Sequence, residues 1–256
     1  AGTPQLSVTE SFRKRDGAYT LKFRQSTPLT PGQSKKLPVV IPLRFGLLDQ
    51  QGNALHPKTK SRVVRDDLII IDRQEVSVTF EGLDEKPEAS LLREFSAPVI
   101  VNFKQSDDAI LLRARHDPDL YNRWDALNTM ATKIMIGNAT AKDKVSALAT
   151  KGFIEGLSET CFDETLEPAY RAQCLTLPSE QDLAREVGHN VDPDAIFKAH
   201  RQLQFSLGRA LGKEGFSLVT RLNRRMAKAK TENDAAGLRA LRNALMPLLV
   251  LAKVPD

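Results

Sequence analysis

Apolar and polar residues alternate along the first 105 residues of the chain. The alternation is clearest at residues 19–23 and 76–80, and a period of two residues is typical of half-buried β-strands. Further apolar runs at 7–12, 39–48, 63–71 and 98–103 bring the predicted strands to six or seven. No helical pattern lies between them to carry parallel crossovers, so we expect a two-sheet antiparallel β-sandwich of the immunoglobulin type.

From residue 106 onward the apolar period becomes that of an α-helix. Asp107 is expected to cap a short helix ending at His116, and Asp117 with Pro118 should end that helix and begin a second, over about 118–136. Ser179 and Asp192 are expected to cap two later helices, the second over 195–211. Seven or eight helices with short connections favour an α-helical solenoid of the HEAT or armadillo type.

The pattern therefore predicts two domains, an immunoglobulin-like β-sandwich at 1–105 and an α-helical domain at 106–256. A solenoid needs a terminal helix with a polar outer face. No such helix follows the last apolar stretch, 238–251, so we expect the helical domain to be truncated at its C-terminus.

Composition places the chain among ordinary folded proteins. It has 256 residues, of which 41% are hydrophobic and 27% charged. The formal charge of +5 is spread thinly, with 16 Lys+Arg against 12 Asp+Glu up to residue 105 and 21 against 20 beyond it, so neither part is a basic binding module. There is no signal-peptide pattern and no apolar run of about 20 residues. With only two cysteines, these features predict a cytoplasmic location and no membrane partner.

Residues that could support catalysis are sparse. The four histidines do not form an HExxH pattern, so no metal ligand is predicted in this chain. Cys161 and Cys174 lie in helical patterns with His189 as the nearest base in sequence, and we expect buried structural thiols rather than a nucleophile. A self-contained hydrolase that uses Cys161 or Cys174 remains an alternative interpretation. Alkylation of the thiols would test it, because it would abolish any cysteine-dependent hydrolysis.

A basic stripe is predicted on one helix. It consists of Arg221, Arg224, Arg225 and Lys228 at helical spacing, is joined by Lys230, and is the face around Arg221 to Lys230. Such a stripe is usually solvated or paired with acidic residues of a neighbouring helix. The alternative is a partner-contact face, used by a free-standing module to dock an acidic protein or RNA. Nucleic acid is disfavoured because no tyrosine or tryptophan interleaves with these cations.

The only tryptophan, Trp124, lies near the start of the second predicted helix. We expect it to pack in the core where the two halves meet, with Arg123 and Asp125 satisfying backbone groups at the helix start.

Several strings together carry a family resemblance. Residues 24–33 read RQSTPLTPGQ, 37–43 read LPVVIPL, 46–49 read GLLD, 91–98 read LLREFSAP and 122–125 read NRWD. In this order and spacing the chain resembles the bacterial aminopeptidase N family over nearly its whole length. The strings single out six structural or interdomain candidates: Phe95, Pro98, Asn122, Arg123, Trp124 and Asp125.

The resemblance implies a β-sandwich that follows a catalytic domain and precedes a helical domain. It also implies a parent enzyme that releases N-terminal amino acids from peptides with a zinc-bound water, using an HExxH motif, a downstream Glu and a GxMEN segment. This sequence contains none of these motifs. We therefore expect a non-catalytic scaffold fragment, with the catalytic domain of the same polypeptide as its partner and zinc held only in that domain.

Overall fold

The computed structural model describes residues 2–253, except for the side chains at positions 233 and 234. In the described residues ten β-strands precede seven α-helices, in the predicted order but with more strands than the six or seven predicted. The strands are β1 (Gln5–Arg13), β2 (Ala18–Ser26), β3 (Ile41–Leu48), β4 (Ala54–Leu55), β5 (Lys58–Thr59), β6 (Val64–Arg65), β7 (Leu68–Ile71), β8 (Glu75–Glu81), β9 (Glu88–Leu91) and β10 (Ile100–Phe103).

The strands form two sheets that share one hydrophobic core. The first has the order β10-β1-β2-β8-β5 and the second the order β4-β3-β7-β6, with β9 also paired to β3. Alternate residues of each sheet are buried in one cluster that includes Leu21, Phe23, Leu43 and Ile69. The predicted antiparallel sandwich is confirmed, with one parallel pair: β10 runs parallel to β1, with Gln5 opposite Ile100. Parallel neighbours need a long connection, and here the rest of the sandwich supplies it.

The single strand predicted over 63–71 is wrong. The segment is a hairpin in which β6 and β7 pair, with Val64 opposite Ile69. Asp66 takes the left-handed conformation, with φ of 54°, which a two-residue hairpin turn requires and which aspartate tolerates.

The helices are α1 (Asp107–His116), α2 (Leu120–Thr140), α3 (Ala147–Phe162), α4 (Pro168–Leu175), α5 (Glu180–Val187), α6 (Pro193–Met226) and α7 (Glu232–Leu251). Ser179 and Asp192 cap α5 and α6 as predicted, accepting hydrogen bonds from the N–H groups of Asp182 and Ala195. The first cap differs from the prediction: Ser106, not Asp107, accepts from the N–H of Ala109. Asp107 instead lies in the first turn of α1.

Helix α6 spans 34 residues in two helical segments. The sequence predicted a helix end at Leu211, and the structure has a break at the next residue. Gly212 interrupts the helix with φ of 51° and ψ of −146°, a conformation that only glycine adopts readily. A Cβ at Gly208 would collide with the carbonyl oxygen of Leu248 in α7. Glycine at this position therefore permits close approach of α6 and α7.

Contacts divide the chain into two compact units, one ending at Arg123 and the other beginning at Trp124. The first unit thus includes α1, which contacts β9, and extends beyond the domain boundary predicted at 105. In the second unit α6 contacts α3, α5 and α7, and α4 contacts α3 and α7.

Candidate functional site

A buried polar cluster joins the end of β9 to the C-terminal end of α1 and the first turn of α2. The side-chain amide of Asn122, which is 1% exposed, donates to Ser90 Oγ at 2.7 Å and to the carbonyl oxygen of Leu91 at 2.9 Å. Arg93 Nε donates to the same Ser90 Oγ at 2.8 Å, and Arg93 Nη2 lies 3.1 Å from Asp117 Oδ1. The predicted candidate Asn122 is therefore the central donor of this cluster.

Two aspartates fix the start of α2. Asp117 accepts from the N–H of Asp119 at 3.0 Å, and Asp119 Oδ1 accepts from the N–H of Asn122 at 2.8 Å. Asp119 is therefore the capping residue, and α2 begins at Leu120. The sequence predicted a start at about Pro118, which is two residues before the observed one. The capping residue follows the proline here instead of preceding it.

The turn that follows β9 has unusual backbone conformations. Leu92, Glu94 and Phe95 have φ angles of 62°, 55° and 49°. The left-handed region is unfavourable for bulky residues, and it persists only where surrounding contacts enforce it. Here the N–H of Glu94 donates to Asp119 Oδ2 at 3.0 Å, and the Glu94 carboxylate lies 3.4 Å from Arg44 Nε.

This strained turn presents an aromatic surface to solvent. The Phe95 ring lies 5.5 Å from the ring of Tyr121. Phe95 is 53% exposed and the adjacent Leu120 is 42% exposed. Strain at functional sites is common, and an apolar anchor on a rigid turn suits a docking role.

The other predicted candidates occupy different surroundings. Pro98 is exposed and stands just before β10, in a tight turn where the N–H of Val99 donates to the carbonyl of Ala97. Arg123 and Asp125 are half-buried in α2. Trp124 lines a small cleft among helices of the second unit, with Phe153, Cys174 and Pro178. Their interdomain roles stay predictions.

The predicted basic face lies at the end of α6. Arg221 forms an ion pair with Glu164 at 3.5 Å. Arg225 and Lys228 line a groove of about 640 Å³ together with Glu167 and Pro168. Arg224 does not line this groove, and all four cations of the face are exposed. The groove contains an acidic side chain as well as the two cations, so its charge gives no clear preference for an anion.

Sequence reasoning missed a second exposed patch in the first half of α6. Phe197, Arg201, Phe205 and Arg209 recur at every fourth position and are all exposed, and they are called the α6 stripe below. The guanidinium carbon of Arg209 lies 6.0 Å from the centre of the Phe205 ring. The signal was present in the sequence, since four-residue spacing places side chains on one helix face.

Both cysteines are free and buried, as predicted. Burial raises the pKa of the Cys161 thiol to about 12, an effect that outweighs the lowering by Arg171, and Glu214 raises it further. A protonated, inaccessible thiol is a poor nucleophile, so the structure gives no support to a cysteine hydrolase at Cys161.

Metal ligation and membrane insertion find no support in residues 2–253. Within that range, no three side chains of His, Cys, Asp or Glu come close enough together to hold a metal ion. The helices of the same range include none with both the length and the hydropathy to cross a bilayer.

Comparison with known proteins accounts for both parts of the chain. A family described as a domain of unknown function with an Ig-like fold, DUF3458, matches residues 2–104. A second, DUF3458_C, described as ARM repeats, matches residues 107–256. The predicted order of an immunoglobulin-like sandwich and an armadillo-like helical domain is thus confirmed.

Curated relatives are aminopeptidases. The chain is 36% identical over 251 residues to aminopeptidase N of Caulobacter vibrioides, covering 95% of this chain and 27% of the relative. It is 29% identical to aminopeptidase N of Escherichia coli, covering 99% and 29% respectively. The chain therefore spans little more than a quarter of the length of these relatives.

A solved structure shows the same fold. The crystal structure of Legionella pneumophila aminopeptidase A in complex with aspartic acid superimposes with a TM-score of 0.77 at 26% identity, over 99% of this chain and 28% of that one. The chain thus belongs to the family of ARM-repeat domains described as DUF3458_C, here preceded by an Ig-like DUF3458 domain, and over nearly its whole length it is similar to bacterial aminopeptidase N.

Proposed function

We propose that the chain is the non-catalytic scaffold of a cytoplasmic, zinc-dependent aminopeptidase N that releases N-terminal amino acids from peptides. One observation carries the proposal: almost the whole chain aligns with aminopeptidase N, yet it spans only 27–29% of each curated relative. The donor groups of the described residues do not fit zinc, since no three potential ligands converge. Zinc and the chemical steps belong to the remainder of the parent chain.

In this role the sandwich links the catalytic domain to the helices, and the helices help to enclose the active-site chamber. The buried cluster around Asn122 supports the linking role. It anchors the first turn of α2 to β9, and α2 runs from Leu120 to Thr140.

Phe95 and Leu120 are the contact residues we expect for the adjoining part of the parent chain. Both are large, apolar and about half exposed. The turn that carries Phe95 is tied through Glu94 to Arg44 and Asp119, and such contacts reduce the conformational entropy lost on docking.

The deciding experiment measures the size of the native polypeptide. An antibody raised against this chain should detect, in source-cell extract, a band several times heavier than 28.4 kDa. That band should co-fractionate with aminopeptidase activity that a chelator removes and zinc restores. A sole band near 28 kDa would contradict the proposal and favour a free-standing binding module that uses the Arg221 to Lys228 face.

Activity of the purified chain provides the complementary test. The purified chain should not hydrolyse aminoacyl amides, and it should not bind zinc in a stoichiometric amount. A mock preparation from cells lacking the chain corrects for host peptidases. Turnover that exceeds the mock preparation and survives further purification would contradict a scaffold role.

A further inference from the structure

The α6 stripe combines two kinds of exposed side chain on one helix face. Phe197 is 51% exposed and Phe205 is 41% exposed, and Arg201 and Arg209 follow each of them by four residues. From Phe197 to Arg209 the stripe extends about 18 Å along the helix axis. The Arg209 guanidinium rests near the Phe205 ring, which leaves its planar fork of donors available to a carboxylate.

The charge of this helix segment has a single sign. Residues 195–213 contain Lys198, Arg201, Arg209 and Lys213 and no acidic residue. Among the described residues none of these four cations takes part in an ion pair. The basic face at the end of α6 differs, since there Arg221 is already paired with Glu164.

We propose that the α6 stripe is a docking surface for an acidic and apolar protein surface supplied by the remainder of the parent polypeptide. The inference rests on the proposed function. Complementarity requires carboxylates opposite Arg201 and Arg209 and apolar side chains opposite the two phenylalanines. The relatives are more than three times as long as this chain, so most of the parent protein is available to supply that surface.

Two other occupants fit less well. A second copy of the chain that docked through the same stripe would place Arg201 and Arg209 against like charges, which is unfavourable across an interface. Nucleic acid is disfavoured because residues 106–256 as a whole carry 21 basic and 20 acidic residues, whereas nucleic-acid-binding domains are strongly basic.

Footprinting with hydroxyl radicals tests the docking directly. We expect oxidation of Phe197 and Phe205 to be at least about fivefold slower in the full-length parent than in the 256-residue chain, because docked anchors lose their exposure. Leu148, in α3 and 80% exposed, serves as the internal reference. Equal oxidation rates in the two proteins would overturn the proposal.

Paired variants test which chemistry the stripe uses. Phe197→Ser with Phe205→Ser, and separately Arg201→Glu with Arg209→Glu, should leave the Tm of the 256-residue chain nearly unchanged because all four positions are exposed. In the full-length parent both pairs should lower the Tm by several degrees. The effect of charge reversal should shrink as salt is raised, whereas the effect of the serine pair should not.

Arg224→Glu with Lys228→Glu is the matched control on the other basic face, and it should leave the Tm of the full-length parent unchanged. An equal loss with this control would indicate a general charge effect and overturn the proposal. The immunoblot separates the two hypotheses: a heavy zinc-dependent species with unprotected phenylalanines contradicts only the docking, whereas a sole 28 kDa band contradicts both.

Discussion

Arg171 donates two hydrogen bonds, from Nε and Nη2, to the carbonyl oxygen of Cys161. The Nε bond is 2.8 Å long, and Arg171 is only 1% exposed. Cys161 lies one residue from the end of α3, where carbonyl groups lack helical partners and the helix dipole is negative. A buried cation from α4 thus caps the C-terminus of the preceding helix.

Arg171→Met should destabilise the chain by about 2–3 kcal/mol, since it leaves the Cys161 carbonyl buried and without its charged donor. Urea denaturation measures the change. Arg171→Lys should recover little, because a single ammonium does not reproduce the guanidinium fork. Arg185→Met, at an exposed position of α5, is the control; an equal cost at both arginines would contradict a capping role.

The raised pKa of the Cys161 thiol predicts that the folded chain loses stability in alkali. Its pKa is about 12 in the folded chain against an ordinary value of 9.0. The unfolded chain therefore releases the proton first, and stability falls by about 1.4 kcal/mol per pH unit as pH rises from 9 towards 12. Urea midpoints measured between pH 8 and pH 10.5 should show this slope.

Cys161→Ala provides the control for the alkaline slope. The variant should be less stable than the wild type at pH 8 because of the cavity it creates. The difference should narrow as pH rises, since the thiol no longer contributes. Parallel curves for the two proteins across this pH range would show that another group is responsible.

The buried amide of Asn122 should contribute to the stability of the first unit. Asn122→Ala removes both donors and leaves the Leu91 carbonyl without this side-chain partner, at a cost of about 1–3 kcal/mol. Asn138→Ala changes an exposed position of the same helix and should alter stability by less than about 0.5 kcal/mol. Denaturant titration compares the two, and similar values would mean that the cluster does not stabilise the fold.

Gly46 keeps space for the guanidinium of Arg93. A Cβ at this position would collide with that group, whose partner Asp117 is fully buried. Gly46→Ala should therefore displace Arg93 from Asp117 and cost about 1–3 kcal/mol, because a buried acceptor loses its donor.

A double-mutant cycle isolates this effect. In a background with Arg93→Met and Asp117→Asn, which removes both charges, Gly46→Ala should cost less than about 0.5 kcal/mol. The free energies of unfolding from urea titrations complete the cycle. If Gly46→Ala lowers the free energy of unfolding equally in both backgrounds, its effect does not act through the Arg93–Asp117 pair.

Local sequence signals predicted the parts of the fold that depend on neighbouring residues. Alternation gave the main strands, and Ser179 and Asp192 marked helix starts that the structure confirms. The hairpin turn at Asp66 was missed because it lies within a longer periodic run, where a left-handed residue changes the backbone without changing the apolar pattern. The helix end predicted at 211, in contrast, coincides with the break at Gly212.

The polar cluster was predictable only in part. Asn122 was a candidate through family resemblance, but its partners Ser90 and Leu91 are about 30 residues away, and no spacing rule connects them. Arg93 and Asp117 meet for the same non-local reason. The α6 stripe was within reach of sequence reasoning, since all its members lie on one helix at a regular spacing.

The parallel pairing of β1 with β10 has a consequence for synthesis on the ribosome. Gln5 is made early, yet its partner Ile100 emerges only after the rest of the sandwich. Until then β1 has β2 as its only partner strand and presents an open edge to other nascent chains. Completion of this sheet must therefore wait until Phe103 has left the exit tunnel.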